Sequence, residues 1–190
     1  MIKELVLKNR SCRRFYQNEK ITVETLKYLV NLARLSASGS NLQPLKYVIS
    51  NIEDNNEKIF KTLGWAGYLK DWDGPEEGEK PSGYVVILND TSISKSPSFD
   101  PGIAAQTILL GAVEKGFGGC MLGNVNKKEL KSNLNLDEKY EIILVVALGK
   151  PKEQVVIEAM DSNNDVKYWR DENKVHHVPK RSLEDIILDI

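Results

Sequence analysis

The sequence predicts a layered domain of the α/β or α+β class. Amphipathic helical stretches and apolar strands are interspersed along the chain. The length of 190 residues, 41% of them hydrophobic, suits one domain, or one subunit of an oligomer, with a substantial core. No internal repeat or low-complexity segment interrupts that pattern.

The elements follow in order. Ile2, Leu5 and Val6 share one face of a short N-terminal helix. A basic knot, Arg10-Ser-Cys-Arg-Arg14, comes next. Thr22 is a candidate N-cap for a helix whose Leu26, Leu29, Val30 and Ala33 keep helical spacing. Ser36 to Pro44 reads as a loop, Leu45–Ser50 as a strand and Asp54–Leu63 as a helix. Gly64 to Gly83 has the character of a surface excursion bearing Trp65, Tyr68 and Trp72, with acids clustered around Glu76 to Glu79. Tyr84–Asn89 is a buried strand. After a serine-rich loop, Asp100-Pro101 opens a helix, with Asp100 as its cap. Ile103 to Val113 is apolar nearly all round, so that helix should be central. Gly116 stops it, and a glycine-rich segment runs to Val125. Asn126 and Glu129 resemble a capping box for a short helix to Leu134. Tyr140–Leu148 is the strongest strand, ended by Gly149-Lys-Pro151. A polar tail follows, closed by a helix carrying Leu183, Ile186 and Ile187.

Composition narrows the function. With 26 Lys+Arg against 27 Asp+Glu and a net charge of −1, a generally basic nucleic-acid binder is disfavoured. No stretch reaches the roughly 20 apolar residues of a membrane span. The charged N-terminus does not read as a signal peptide. Cys12 and Cys120 make neither a disulfide scaffold nor a multi-cysteine metal site, so a cytoplasmic location is expected. His176 and His177 alternate on an extended segment, so they do not form a joint metal site. No metal site is expected. An enzyme of this composition would borrow its difficult chemistry from a cofactor.

The candidate site residues each carry two readings. Arg10, Arg13 and Arg14 near one end and Lys180 and Arg181 near the other could jointly hold a phosphate, with Ser11 as a further donor. The alternative is a solvated or ion-paired surface. Ser38, Gly39, Ser40, Asn41 and Gln43 could approach a planar polar ring, or simply cap the preceding helix. Trp65, Tyr68 and Trp72 could form a lid over a flat substrate, or pack the excursion onto the body. Gly116-Phe-Gly-Gly-Cys-Met121 starts like a dinucleotide fingerprint, but the third glycine falls on Met121 and the pattern fails.

Four segments in order carry a resemblance. They are Arg10 to Phe15; Ser38 to Tyr47; Asp100-Pro-Gly-Ile-Ala-Ala-Gln106 leading into Gly116 to Gly123; and Pro179 to Glu184. Together they resemble the nitroreductase family of FMN-dependent NAD(P)H oxidoreductases, over nearly the whole chain, in a short form. The resemblance implies a three-layer α-β-α sandwich of the α+β class with a mainly antiparallel sheet. It implies an intertwined homodimer with FMN at the interface.

It also implies roles for particular residues. Arg10, Ser11 and Arg13 would serve the FMN phosphate and the ring's pyrimidine edge, and Lys180 and Arg181 the phosphate. Ser38, Gly39, Ser40, Asn41 and Gln43 would serve the ribityl chain and ring, often from the other subunit. Met121, Leu122 and Gly123 would lie near flavin N5. Residues 150–190 would complete the phosphate site of a single domain spanning 1–190. Hydride would pass from NADH or NADPH, ping-pong, to a nitroaromatic, quinone or similar flat acceptor. Asn9, Ala37, Leu45 and Leu122 depart from common family residues, which leaves the subgroup and substrate open. A flavin-consuming, dehalogenating or ene-reducing member, or a non-catalytic flavin-binding module, are the alternatives.

Overall fold

The computed structural model describes residues 1–161, 163 and 165–188. Five helices are described: α1 (Ile2–Lys8), α2 (Val23–Arg34), α3 (Glu53–Phe60), α4 (Asp100–Glu114) and α5 (Lys127–Asn133). The strands are β1 (Phe15–Tyr16), β2 (Leu45–Ser50), β3 (Gly83–Asp90), β4 (Gly118–Leu122), β5 (Tyr140–Pro151), β6 (Val155–Ala159), β7 (Trp169–Arg170) and β8 (His176–Lys180).

The main sheet runs β1-β5-β3-β2 with β4 also on β5, and every pairing between its strands is antiparallel. Alternation of side chains along the central strands divides the core in two. Val85 and Ile87 of β3 and Val146 and Leu148 of β5 face α2 and α4 through Leu26, Leu29, Ile108 and Leu109. Tyr84, Val86 and Leu88, with Val145 and Ala147, face Ile59 of α3 and Leu130 of α5. Helices therefore cover both faces, giving the α+β three-layer sandwich. α2 starts as the sequence indicates, with Thr22 Oγ1 accepting from Thr25 N at 3.1 Å.

Several expectations change. Asp100 is the first residue of α4 rather than its cap, a position taken by Phe99. Its carboxylate turns instead to the Ser38–Gln43 loop. The glycine-rich segment is a strand, because Gly119 brings β4 so close that a Cβ there would lie 2.3 Å from Ala147 O. β5 does not stop at Leu148 but continues to Pro151, where it pairs with Phe15. The polar tail contains a second sheet, β6-β8-β7, with β6 parallel to β8. Around Leu183, Ile186 and Ile187 there is a single turn rather than a helix, and all three side chains are exposed. Apolar spacing alone does not hold a helix that has no surface to pack on.

The excursion is pinned at its far end. Glu79 accepts from Arg14 Nε at 2.5 Å and Nη2 at 2.6 Å, and from Lys152 Nζ at 2.9 Å. Arg14 holds the Glu79 carboxyl down at about 2, against an ordinary value near 4.5. A depressed carboxylate contributes stability that is present above pH 4.5 and lost as pH falls towards 2. Glu79→Gln should therefore destabilise the fold by about 2 kcal/mol at pH 7. The deficit should narrow at pH 3, and urea unfolding at the two pH values measures both. Equal stability of variant and wild type at pH 7 would count against this role.

Candidate cofactor site

The loop after α1 runs beside β4. Cys12 N donates to Gly119 O at 2.9 Å, and Ser11 bridges to Gly119 in parallel. This seats the basic knot at the rim of a cleft of about 320 Å³. Asn9, Arg10, Ser11 and Arg13 line it from the loop, Gln106 and Leu109 from α4, and Met121 from β4. Tyr168 and β8 supply the remaining wall. His176, Val178 and Lys180 alternate along β8 and all point into the cleft.

The cleft is cationic, with no carboxylate among its lining residues. Arg10 Nη2 donates to Val6 O at 2.8 Å, while the buried Nε atoms of Arg10 and Arg13 have no partner among the described residues. Burial lowers the Arg10 pKa, the reverse of Arg14, which the Glu79 carboxylate raises. Two guanidiniums thus face the cleft with unmet donors, the arrangement that an anionic ligand relieves.

The Ser38–Gln43 loop lies elsewhere. Asp100 accepts from Ser38 Oγ at 2.6 Å and from Gly39 N at 2.9 Å, and Ser38 Oγ accepts from Gln43 N at 2.9 Å. Ser40, Asn41 and Gln43 all hold positive φ, at 49°, 54° and 53°. Left-handed backbone at three non-glycine residues persists only where surroundings fix it. Ser38 and Gln43 border a separate cavity of about 380 Å³ with Lys46, Tyr47 and Asp100. Burial, then the Asp100 charge, pushes Tyr47 up to about 12. One chain thus carries two groups of the expected residues in two clefts on different sides of α4, with Ala104 lining one and Gln106 the other.

The remaining candidates scatter. Arg181 borders a separate depression with Met160 and Asp185, which Lys180 also touches. Leu122 is buried in the core, so only its backbone can serve a ligand, while a Cβ on Gly123 would meet open space. Trp65 is buried beneath Gly74, and Trp72 lies under Arg170, 4.7 Å from its guanidinium carbon. Tyr68 alone of the three aromatics reaches the cleft, through Tyr168. The rings are 4.9 Å apart, and Tyr68 N donates to Tyr168 Oη at 3.4 Å. Sequence reasoning did not select Gln106, Tyr168 or His176. For His176 a signal existed, since it alternates with Lys180 on one strand.

A model of the nitroreductase family matches residues 6–67 and 83–150. The chain belongs to the nitroreductase family. Membership makes it an oxidoreductase, and the matched residues include the basic knot, the Ser38–Gln43 loop and β4. MhqN of Bacillus subtilis, named as a candidate NAD(P)H nitroreductase, is 26% identical over 183 residues, covering 78% of this chain and 87% of that protein. An iodotyrosine deiodinase of Thermotoga neapolitana is 23% identical over 167 residues, covering 80% and 89%. The crystal structure of a nitroreductase family protein from Streptococcus pneumoniae superposes with a TM-score of 0.69 at 14% identity, covering 81% of this chain and 92% of that one. The segment 68–82 and the residues after 150, which include β6, β7 and β8, lie outside the family match. No described helix is long and apolar enough to cross a membrane.

Proposed function

We propose that this chain is an FMN-dependent NAD(P)H oxidoreductase. It would work in the cytoplasm as a homodimer and reduce a nitroaromatic, quinone or similar flat acceptor by ping-pong hydride transfer. The observation that carries the reading is the cleft where Arg10, Arg13 and Lys180 converge, with two buried guanidinium nitrogens unpartnered and no carboxylate in the lining. That donor set fits the phosphate and the electron-rich ring edge of FMN.

A bound FMN supplies the ring that accepts and returns hydride. The chain's residues bind and orient it. Arg10, Ser11 and Lys180 would hold the phosphate, with Arg181 beside Lys180. Arg13, fixed at the cleft wall, would stabilise negative charge developing on the ring. Met121 brings β4 to the same wall. The Ser38–Gln43 loop would serve the FMN bound mainly by the partner subunit, a reading that the two separate clefts of one chain support. Tyr68 with Tyr168 would border the acceptor, whereas Trp65 and Trp72 support the excursion from below.

The test is spectroscopic. Purified protein mixed with FMN should retain the flavin on gel filtration, and NADH or NADPH should bleach it under argon until a quinone restores the colour. Protein that retains no flavin would overturn the reading. Bound flavin that neither nucleotide bleaches would leave a non-catalytic flavin-binding module.

A further inference from the structure

Arg13 and Arg14 are adjacent in sequence and opposite in electrostatic situation. Arg14 meets Glu79 through two nitrogens, and its charge is cancelled on the spot. The Arg13 guanidinium has no carboxylate partner among the described residues. Its Nη1 lies 3.3 Å from Ser11 O and 3.4 Å from His176 Nε2, and its carbon lies 4.9 Å from the Tyr168 ring centre.

The acid that could have paired with it is turned away. Glu153 Oε2 accepts from the Arg13 backbone N–H at 2.9 Å, and Oε1 accepts from Arg170 Nη2 at 2.6 Å. The guanidinium is therefore left to the imidazole. For His176 Nε2 to accept from Arg13, it must carry the lone pair, so the ring proton sits on Nδ1. That nitrogen is buried without a hydrogen-bond partner among the described residues, 4.0 Å from Glu153 Oε1. Tyr168 packs on the ring at 5.1 Å. Burial pushes the His176 pKa down to about 4; Glu153 opposes this, while Arg13, Arg170 and His177 add to it. The ring is thus neutral at ordinary pH.

A carboxylate in place of that ring would orient the guanidinium equally well. It would also cancel the charge that the cleft presents. We propose that His176 is a positioning residue, a neutral acceptor that fixes the Arg13 guanidinium at the cleft wall while leaving its charge uncancelled for an anionic or electron-rich group bound there. The inference rests on the FMN reading above and adds a residue to that site from β8, beyond the family match.

Two measurements test it. With only two histidines in the chain, nitrogen-15 NMR of the FMN-loaded protein resolves both rings. At pH 7 His176 should be neutral with its proton on Nδ1; an imidazolium, or a proton on Nε2, overturns the proposal. Second, His176→Leu removes the acceptor, and His176→Gln restores a neutral one. FMN dissociation constants should rise about tenfold in His176→Leu and stay within about threefold in His176→Gln. The reduction potential of bound FMN should fall in the leucine variant and recover in the glutamine variant, which a purely structural role would not produce. Equal affinity and potential in all three proteins overturn the proposal. If wild type binds no FMN, the functional reading falls, and the tautomer in the free protein still decides the arrangement of His176. If His176→Leu does not fold, the wild-type tautomer and His176→Gln decide.

Discussion

Replacing Arg10 and Lys180 together with alanine should weaken FMN binding at least a hundredfold, or about 3 kcal/mol, from two charged hydrogen bonds of roughly 1.5 kcal/mol or more each. Most of the loss should come from Arg10, which is partly buried and whose only side-chain hydrogen bond among the described residues runs to Val6 O. Lys180 is exposed, so solvent screens its share. Arg181→Ala should cost less, because Arg181 does not line the main cleft. Flavin fluorescence quenching gives the three dissociation constants. Unchanged affinity in the double variant would move the phosphate to another site. Urea unfolding of the flavin-free proteins should scarcely differ, since neither side chain holds up the core.

The second large effect concerns stability. Glu153→Gln should destabilise the protein by about 3–5 kcal/mol, the usual result of removing one partner from a buried ion pair. The Glu153 side chain is fully buried and binds Arg170 at 2.6 Å and the Arg13 backbone at 2.9 Å. It stands between β5 and β6, so it joins the family sandwich to the second sheet. Its loss leaves the Arg170 cation facing Trp72 and His176 without a counter-charge. Chemical denaturation with wild type as reference measures the effect. A loss below about 1 kcal/mol would show that Arg170 finds solvent when unpaired.

Legibility in the sequence followed the range of the interactions. α2 and β3 were readable because their periodicity is local, and α2's cap lies three residues from its partner. β4 was hidden because Gly118, close against Pro151, and Gly119, close against Ala147 and Leu109, erase the apolar pattern of a strand. The second sheet was hidden by short polar strands and by a parallel pairing of β6 with β8 across some twenty residues. The sequence groups Arg10, Arg13 and Arg14 with Lys180 and Arg181 as one possible cluster, but only the fold shows that Arg10, Ser11, Arg13 and Lys180 line one cleft while Arg14 is paired with Glu79. Glu153, Tyr168 and His176 are ordinary residues in sequence and become site residues through contacts 140 and 163 positions away from Arg13. Asp100 reads as a helix cap because Asp-Pro usually is one; its tie to Ser38 depends on a loop 62 residues earlier.

The alternation along β8 has a consequence for how such a site changes over evolutionary time. His176, Val178 and Lys180 face the cleft, while His177 and Pro179 face away, with Trp169 stacked on His177 at 4.0 Å. The tight turn from Asp171 to Val175 sets which set is presented, through Asp171 N to Val175 O at 3.1 Å and Val175 N to the Asp171 side chain at 2.7 Å. Deleting one codon there would rotate the strand by half a period and exchange the whole wall at once. The imidazole beside Arg13 would be traded for that of His177, Val178 for Pro179 and Lys180 for Arg181. A single-codon indel in this hairpin, rather than a series of substitutions, is thus a route by which the chain could acquire a cleft of different chemistry on an unchanged sandwich.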